Sequence, residues 1–317
     1  MQIINSTSST PSIPPTSAFK STPLSIAVVA PSGAPLDEAA VVKGLAFLRQ
    51  QGHHVHSYYH PEEKFQRFAA SDAQRVNHLH AAAANHEVDV VMALRGSYGF
   101  SRLLPHLDID FLAQSGKIFV GYSDFTLMHQ ALLARGVLSI AGPMLGDFSQ
   151  PENASEFTLT QFSHCLTAND HRVSFASPDT DDLVLQGRLW GGNLAMLVHT
   201  LGTPYWTQLE DGILFLEDIG EHPYRVERML LQLHFAGVLE KQKALVLGDF
   251  SGYRLALHDN GYDFSETLKY LRSILSIPVL TGLPFGHIPD RASLVVGSNA
   301  TLEVTSGVAN LRMNYLF

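Results

Sequence analysis

One serine stands at a joint where chemistry is possible. In "GKIFVGYSDFTLMHQALLARG", Ser123 separates an apolar run from an amphipathic pattern. It can be a helix N-cap, its oxygen accepting a hydrogen bond from a free N–H of the first turn. It can also be a nucleophile on a sharp strand-to-helix turn, with its hydroxyl raised above a sheet. Further along, "ALRGSYGFSRLLPHLD" sets two glycines and a serine at the end of a buried run. That pattern suits a turn needing positive φ, or a loop whose N–H groups face a cleft and supply half an oxyanion hole. In "FLEDIGEHPYRVERML", Glu227 and Arg228 read as helix charges facing water, whereas Glu217 and Asp218 terminate an apolar strand. His287 follows a glycine in "TGLPFGHIPDRASLVVG", where a solvated histidine and a catalytic one look alike. The cluster "HHVHSYYH" would put His54 and His56 on one face of a strand, but no separate group is placed to complete a metal sphere.

These residues need elements to hold them. From "PLSIAVVAPSGAP" onward, short β-branched runs alternate with helical patterns, the mark of a parallel sheet flanked by helices. The reading gives strands at Ile26 to Ala30, at "HHVHSYY", at "VDVVMALRG" and at "KIFVGY", the last delivering Ser123 to its carboxyl end. Ligands bind at that end of an open α/β sheet. Around "SFASPDTDDLVLQGRLWGG" the texture turns polar and rich in Pro and Gly, which predicts a crossing between domains. Beyond it, "DGILFLED" and "KALVLGDF" are strands, "PYRVERMLLQLHFAGVL" and "SETLKYLRSIL" are helices, and "ASLVVGSNATLEV" with "VANLRMNYLF" predicts a closing hairpin. The resulting division is 1–23 a disordered tail, 24–165 an α/β domain, 166–186 a linker and 187–317 a second domain.

At 317 residues the chain has room for two cores, and a net charge of −9 disfavours nucleic acid as a partner. The single cysteine, Cys165, allows no internal disulfide and fits a reducing compartment. No apolar run is long enough to span a bilayer, and the first residues carry neither a basic start nor an apolar core, so a cytoplasmic location is expected.

Read in order, "APSG", "RGSYGFSRLLPHLD", "GYSDFTLMH", "AGPML", "RLWGGNLAML", "LGTPYW", "GILFLEDIGEHPYRVERMLLQL" and "TGLPFGH" resemble the LD-carboxypeptidases, the serine peptidase family that includes the muramoyltetrapeptide carboxypeptidases. The resemblance implies a flavodoxin-like parallel-sheet N-terminal domain, a smaller mixed α/β C-terminal domain, and a homodimer. It implies a triad of Ser123, Glu217 and His287, with oxyanion-hole N–H groups at Gly96 and Asp124, and no metal or cofactor. Many members carry a second glycine where this chain has Ser97, so a positive φ there would be strained. The implied reaction removes the terminal D-alanine of a murein tetrapeptide during peptidoglycan recycling. Rival readings are a microcin-immunity type of peptidase cleaving peptidyl nucleotides, and a non-catalytic murein-peptide binding protein. An exopeptidase must read its substrate's free carboxylate, for which an arginine fork is suited; Arg102, after the glycine turn, and Arg225, after the Glu217 strand, are the candidates. If the strand continues past Glu217, alternation sends Asp218 to the opposite face, and Glu221, just before Pro223, is placed to complement a helix dipole.

Overall fold

The computed structural model describes residues 23–150 and 154–317. The expected tail therefore lies, apart from residue 23, outside the described residues. The first half alternates strand and helix as its sequence texture requires: β1 Ser25–Val29, α1 Glu38–Gln50, β2 His54–Ser57, α2 Asp72–Ala84, β3 Val90–Ala93, α3 Ile109–Gln114, β4 Ile118–Gly121, α4 Thr126–Leu133 and β5 Ser139–Ala141. All five residues of β1 and all four of β3 are buried, because helices cover both faces of the sheet. Capping residues mark the helix starts: Asp37 accepts from Ala39 N, and Ser71 forms a reciprocal capping box with Gln74.

The second half continues with α5 Glu156–Thr167, β6 Asp170–Ala176, β7 Leu183–Asn193, α6 Leu194–Thr200, β8 Ile213–Glu217, α7 Pro223–Phe235, β9 Ala244–Leu247, α8 Phe264–Ile274, β10 Val279–Leu280, β11 Leu294–Val296, β12 Asn299–Thr305 and β13 Val308–Asn314. Two sheets result. The first has the order β11-β5-β4-β3-β1-β2 and the second β10-β9-β8-β7-β12-β13-β6. Strands β2-β1-β3-β4-β5 run parallel in the flavodoxin-like order, and the second sheet mixes parallel and antiparallel pairs.

Two expectations need correction. The segment 166–186 is not a linker: β6 occupies its middle and β7 begins within it. The alternation of buried His171, Val173 and Phe175 with solvent-facing neighbours is a half-buried edge strand, which polar composition disguised. The second sheet consequently has seven strands to the first sheet's six, so the smaller domain does not have the smaller sheet. The closing hairpin is β12 and β13 alone, while β11 leaves it and pairs antiparallel with β5 in the first sheet. The C-terminal half thus supplies the edge strand of the N-terminal sheet.

Where the two halves meet, "WGGN" explains itself. Gly191 and Gly192 have φ of 141° and 136°, a region open to glycine. A Cβ on Gly191 would stand 1.8 Å from the Phe215 carbonyl oxygen, and one on Gly192 would stand 2.5 Å from Thr126 Oγ1 at the start of α4. Gly191→Ala is expected to destabilise the fold by at least ~3 kcal/mol, since both backbone angle and contact forbid the methyl. A chemical-denaturation midpoint equal to wild type would contradict this packing.

Candidate active site

Three loops converge at the carboxyl edge of the first sheet, following β1, β3 and β4. Ser123 lies two residues beyond Gly121, the end of β4, and has φ 61°, left-handed geometry that a serine adopts only under constraint. Its neighbour supplies the constraint. The buried Asp124 carboxylate accepts from Ser32 Oγ at 2.6 Å and from Phe100 N at 2.7 Å, tying all three loops together. Burial raises the pKa of this carboxyl, and the two donors oppose that rise. Gly96 lies so close that a Cβ there would stand 2.7 Å from Ser123 Oγ and 3.6 Å from Asp124 N. Behind the turn, His129 is fully buried in α4, with its ring nitrogens 2.9 Å from the Gly121 carbonyl oxygen and 2.8 Å from Ser139 Oγ. Burial lowers its pKa to about 4, so it stays neutral and holds β4 to β5.

The second sheet brings Glu217, and the loop between β10 and β11 brings His287. Glu217, the last residue of β8, is completely buried, and its Oε2 lies 2.8 Å from His287 Nδ1. A carboxylate at Nδ1 fixes the proton there and leaves Nε2 as the basic nitrogen. The imidazole packs edge-on against Tyr122, the residue before Ser123, with ring centroids 5.1 Å apart. The Ser123 hydroxyl itself forms no hydrogen bond to His287 here; in such sites that bond often tightens only around substrate.

Composition and spacing did not single out the residues that hold this pair. Asn193 Nδ2 donates to Glu217 Oε1 at 3.1 Å and to Asp218 Oδ1 at 3.0 Å, while its Oδ1 caps α6 at Met196 N. Its own backbone N–H donates to Thr126 Oγ1 at 3.0 Å, across to the helix that follows Ser123. An asparagine between two glycines and an apolar run was a visible N-cap signal, though nothing local tied it to Glu217. Arg291 is buried beneath the histidine loop. It donates to the carbonyls of Gly286 and Ile288 at 2.5 and 3.0 Å, pairs with Asp147 at 2.8 Å and stacks 3.8 Å from the centre of the Tyr122 ring.

Strand alternation does not reach Asp218. The strand ends at Glu217, so alternation ceases, and Asp218 turns back to share Asn193 and accept from Ala195 N and Ile219 N. Burial first, and the Glu217 charge second, push its pKa from 3.8 up to about 6. Glu221 stands apart, paired with Arg225 at 3.5 Å one helical turn on. The two arginines proposed as carboxylate readers are committed elsewhere. Arg102 forks onto Asp72 at 2.8 and 2.6 Å, and Arg225 is exposed against Tyr224 and Glu221. In the strand carrying His54 and His56, His56 is taken up by Ser25 Oγ at 3.0 Å.

The fold and this constellation fit one class: an α/β serine hydrolase with a carboxylate–histidine pair placed against the serine turn. Comparison with known proteins narrows it. The family model for the LD-carboxypeptidase N-terminal domain matches residues 26–142, and that for the LD-carboxypeptidase C-terminal domain matches 186–302. A crystal structure of muramoyltetrapeptide carboxypeptidase from Oxalobacter formigenes is 47% identical, with a TM-score of 0.88 over 92% of this chain and 100% of that one. The murein tetrapeptide carboxypeptidase of Pseudomonas aeruginosa is 30% identical over 88% of this chain and 92% of its own length. Wild-type microcin C7 self immunity protein MccF shares the fold at 21% identity and a TM-score of 0.84, covering 95% of this chain and 99% of that one. The chain belongs to the LD-carboxypeptidase family.

Two outcomes follow from the carboxylates. Glu217→Gln should lower kcat by about 10²- to 10⁴-fold, whereas Glu221→Gln should leave kcat nearly intact and act on melting temperature alone. Parallel kinetics and melts decide this, and a dead Glu221→Gln beside an active Glu217→Gln would reverse the assignment. For Asp218 the folded-state pKa is raised, so its favourable share of stability is complete below 3.8 and is lost as pH rises to about 6. Melting curves across that window should show wild type losing ground to Asp218→Asn as pH increases; parallel curves would refute the shift.

Proposed function

We propose that this chain is a serine LD-carboxypeptidase that releases the terminal D-alanine of murein tetrapeptides in peptidoglycan recycling. The observation that carries the reading is the pairing of buried Glu217 with half-buried His287, set against the Tyr122–Ser123 turn at the carboxyl edge of the parallel sheet. In this mechanism His287 Nε2 takes the Ser123 proton as Oγ attacks the carbonyl carbon of the bond joining the diamino acid's L-centre to D-alanine. The N–H groups of Gly96 and Asp124 hold the tetrahedral oxyanion. His287 then returns the proton to the leaving amine, D-alanine departs, and water activated by the same imidazole hydrolyses the acyl-enzyme. Glu217 keeps the tautomer and supports the transient imidazolium.

Support for the murein substrate comes from the relatives at 30% and 47% identity, both named for it. The microcin-immunity protein is similar in fold alone, which gives the nucleotide reading less weight. The single cysteine, Cys165, is buried and unpaired, which suits a cytoplasmic setting, and we infer a homodimer from the family resemblance. Among the described residues no helix is long and apolar enough to cross a membrane.

Chromatographic detection of D-alanine released from a murein tetrapeptide tests the proposal. Wild type should turn the peptide over, and Ser123→Ala should lose at least about 10³-fold in kcat with an unchanged melting temperature. Activity within tenfold of wild type in that variant would remove Ser123 as nucleophile.

A further inference from the structure

Two arginines on different segments are gathered around the Gly96 turn, and neither has an acidic partner among the described residues. Arg95 ends the run after β3, and Arg67 lies in the loop before α2. Ala34 binds both segments: its N–H donates to the Arg67 carbonyl at 2.9 Å, and its own carbonyl accepts Arg95 Nη1 at 2.8 Å. Arg67 Nη2 donates to Ser97 Oγ at 3.1 Å, and its guanidinium lies 5.8 Å from the centre of the Tyr98 ring. Gly33 N donates to the Gly96 carbonyl at 3.2 Å, so the loops after β1 and β3 are locked together between the two cations. Gly96 in turn abuts the Ser123 hydroxyl.

Among the described residues, every other arginine packed into this edge of the sheet has a carboxylate. Arg75 and Arg102 share Asp72, and Arg291 has Asp147. Arg67 and Arg95 form no ion pair within the described residues, although they are near enough for Arg67 to add to the effect of burial in lowering the Arg95 pKa. Like charges held together without an anion repel, and an arriving carboxylate relieves that repulsion. Each guanidinium has five N–H donors and uses one on the protein, leaving a fork of the kind that grips a carboxylate.

Ser97 completes the arrangement. It has φ 70°, in the region that favours glycine. A glycine there would have no hydroxyl to hold Arg67. The strain expected of Ser97 is thus real, and the side chain that brings it holds a cation one residue from the Gly96 that abuts Ser123.

We propose that Arg67 and Arg95 form the subsite for the free α-carboxylate of the substrate's C-terminal residue, with the Ser97 hydroxyl holding Arg67 in place. The assignment rests on the carboxypeptidase reading and replaces Arg102 and Arg225. It also gives a reason for exopeptidase specificity: a carboxylate seated between these arginines sets the scissile bond one residue from the chain end, over Ser123.

The test compares kcat/KM for a murein tetrapeptide and for the same peptide with its terminal D-alanine amidated. Wild type should strongly prefer the acid. Arg67→Met should lose about 10²-fold on the acid and far less on the amide, collapsing the preference. Arg95→Lys, which keeps a charge and a donor but loses the fork, should lose about tenfold on the acid. Ser97→Gly should weaken the preference while melting no lower than wild type, since glycine relieves the backbone. An acid-to-amide ratio unchanged in Arg67→Met or in Arg95→Lys overturns the subsite. If wild type cleaves neither peptide, the murein reading has failed, and thermal shifts with D-alanine against D-alaninamide decide the subsite separately. A shift given by the acid in wild type and absent in Arg67→Met supports it; equal shifts, or none, overturn it.

Discussion

The site depends on one side chain that neither attacks nor accepts a proton. Asn193 ends β7; its side-chain amide joins two buried carboxylates to one helix start, and its backbone N–H reaches Thr126 in the other half. Adjacent carboxylates out of water are costly, and the cost grows as their charges approach. One amide nitrogen donating to both keeps Glu217 and Asp218 in place, and the helix capped by the same residue supplies Ala195 N as a further donor. Because the Asn193 backbone is also bonded to Thr126, the acid cannot shift without disturbing the helix that follows the serine.

The chain route reinforces this seam. After delivering His287, it runs through the buried Arg291 clamp and enters the first sheet as β11 before crossing to the second at β12. The histidine loop is therefore anchored on both sides, by Glu217 in one sheet and by a strand of the other. Two independent domains joined by a linker would leave the Ser123-to-His287 spacing to hinge motion; a shared edge strand restrains it.

Local strain gathers where the three loops meet. Ser123 and Ser97 both take positive φ, and both are over-determined by what surrounds them: the Asp124 tie to Ser32 and Phe100, and the contact of Gly33 with Ser97. Glycine is required at 96 because a methyl there would strike the hydroxyl of Ser123. The turn is thus specified as much by the side chains it must avoid as by its hydrogen bonds.

The sequence by itself determined what repeats along the chain. Buried β-branched runs separated by amphipathic stretches were enough for the parallel sheet, and the glycine-rich turn and Ser123 fell at strand ends because that is where apolar runs stop. Glu217 was legible for the same reason. What the sequence could not decide were the relations between distant segments. Polar composition hid β6, since an edge strand buries only alternate residues, and β11 read as hairpin because pairing partners are not local properties. The same limit applied to the charges. Arg102 was conspicuous beside the glycine turn but is paired with Asp72, while Arg67, inconspicuous in a loop, is carried to Ser97. Only the tertiary structure says which charges are already neutralised, because ion pairing depends on through-space distance, which spacing along the chain does not encode.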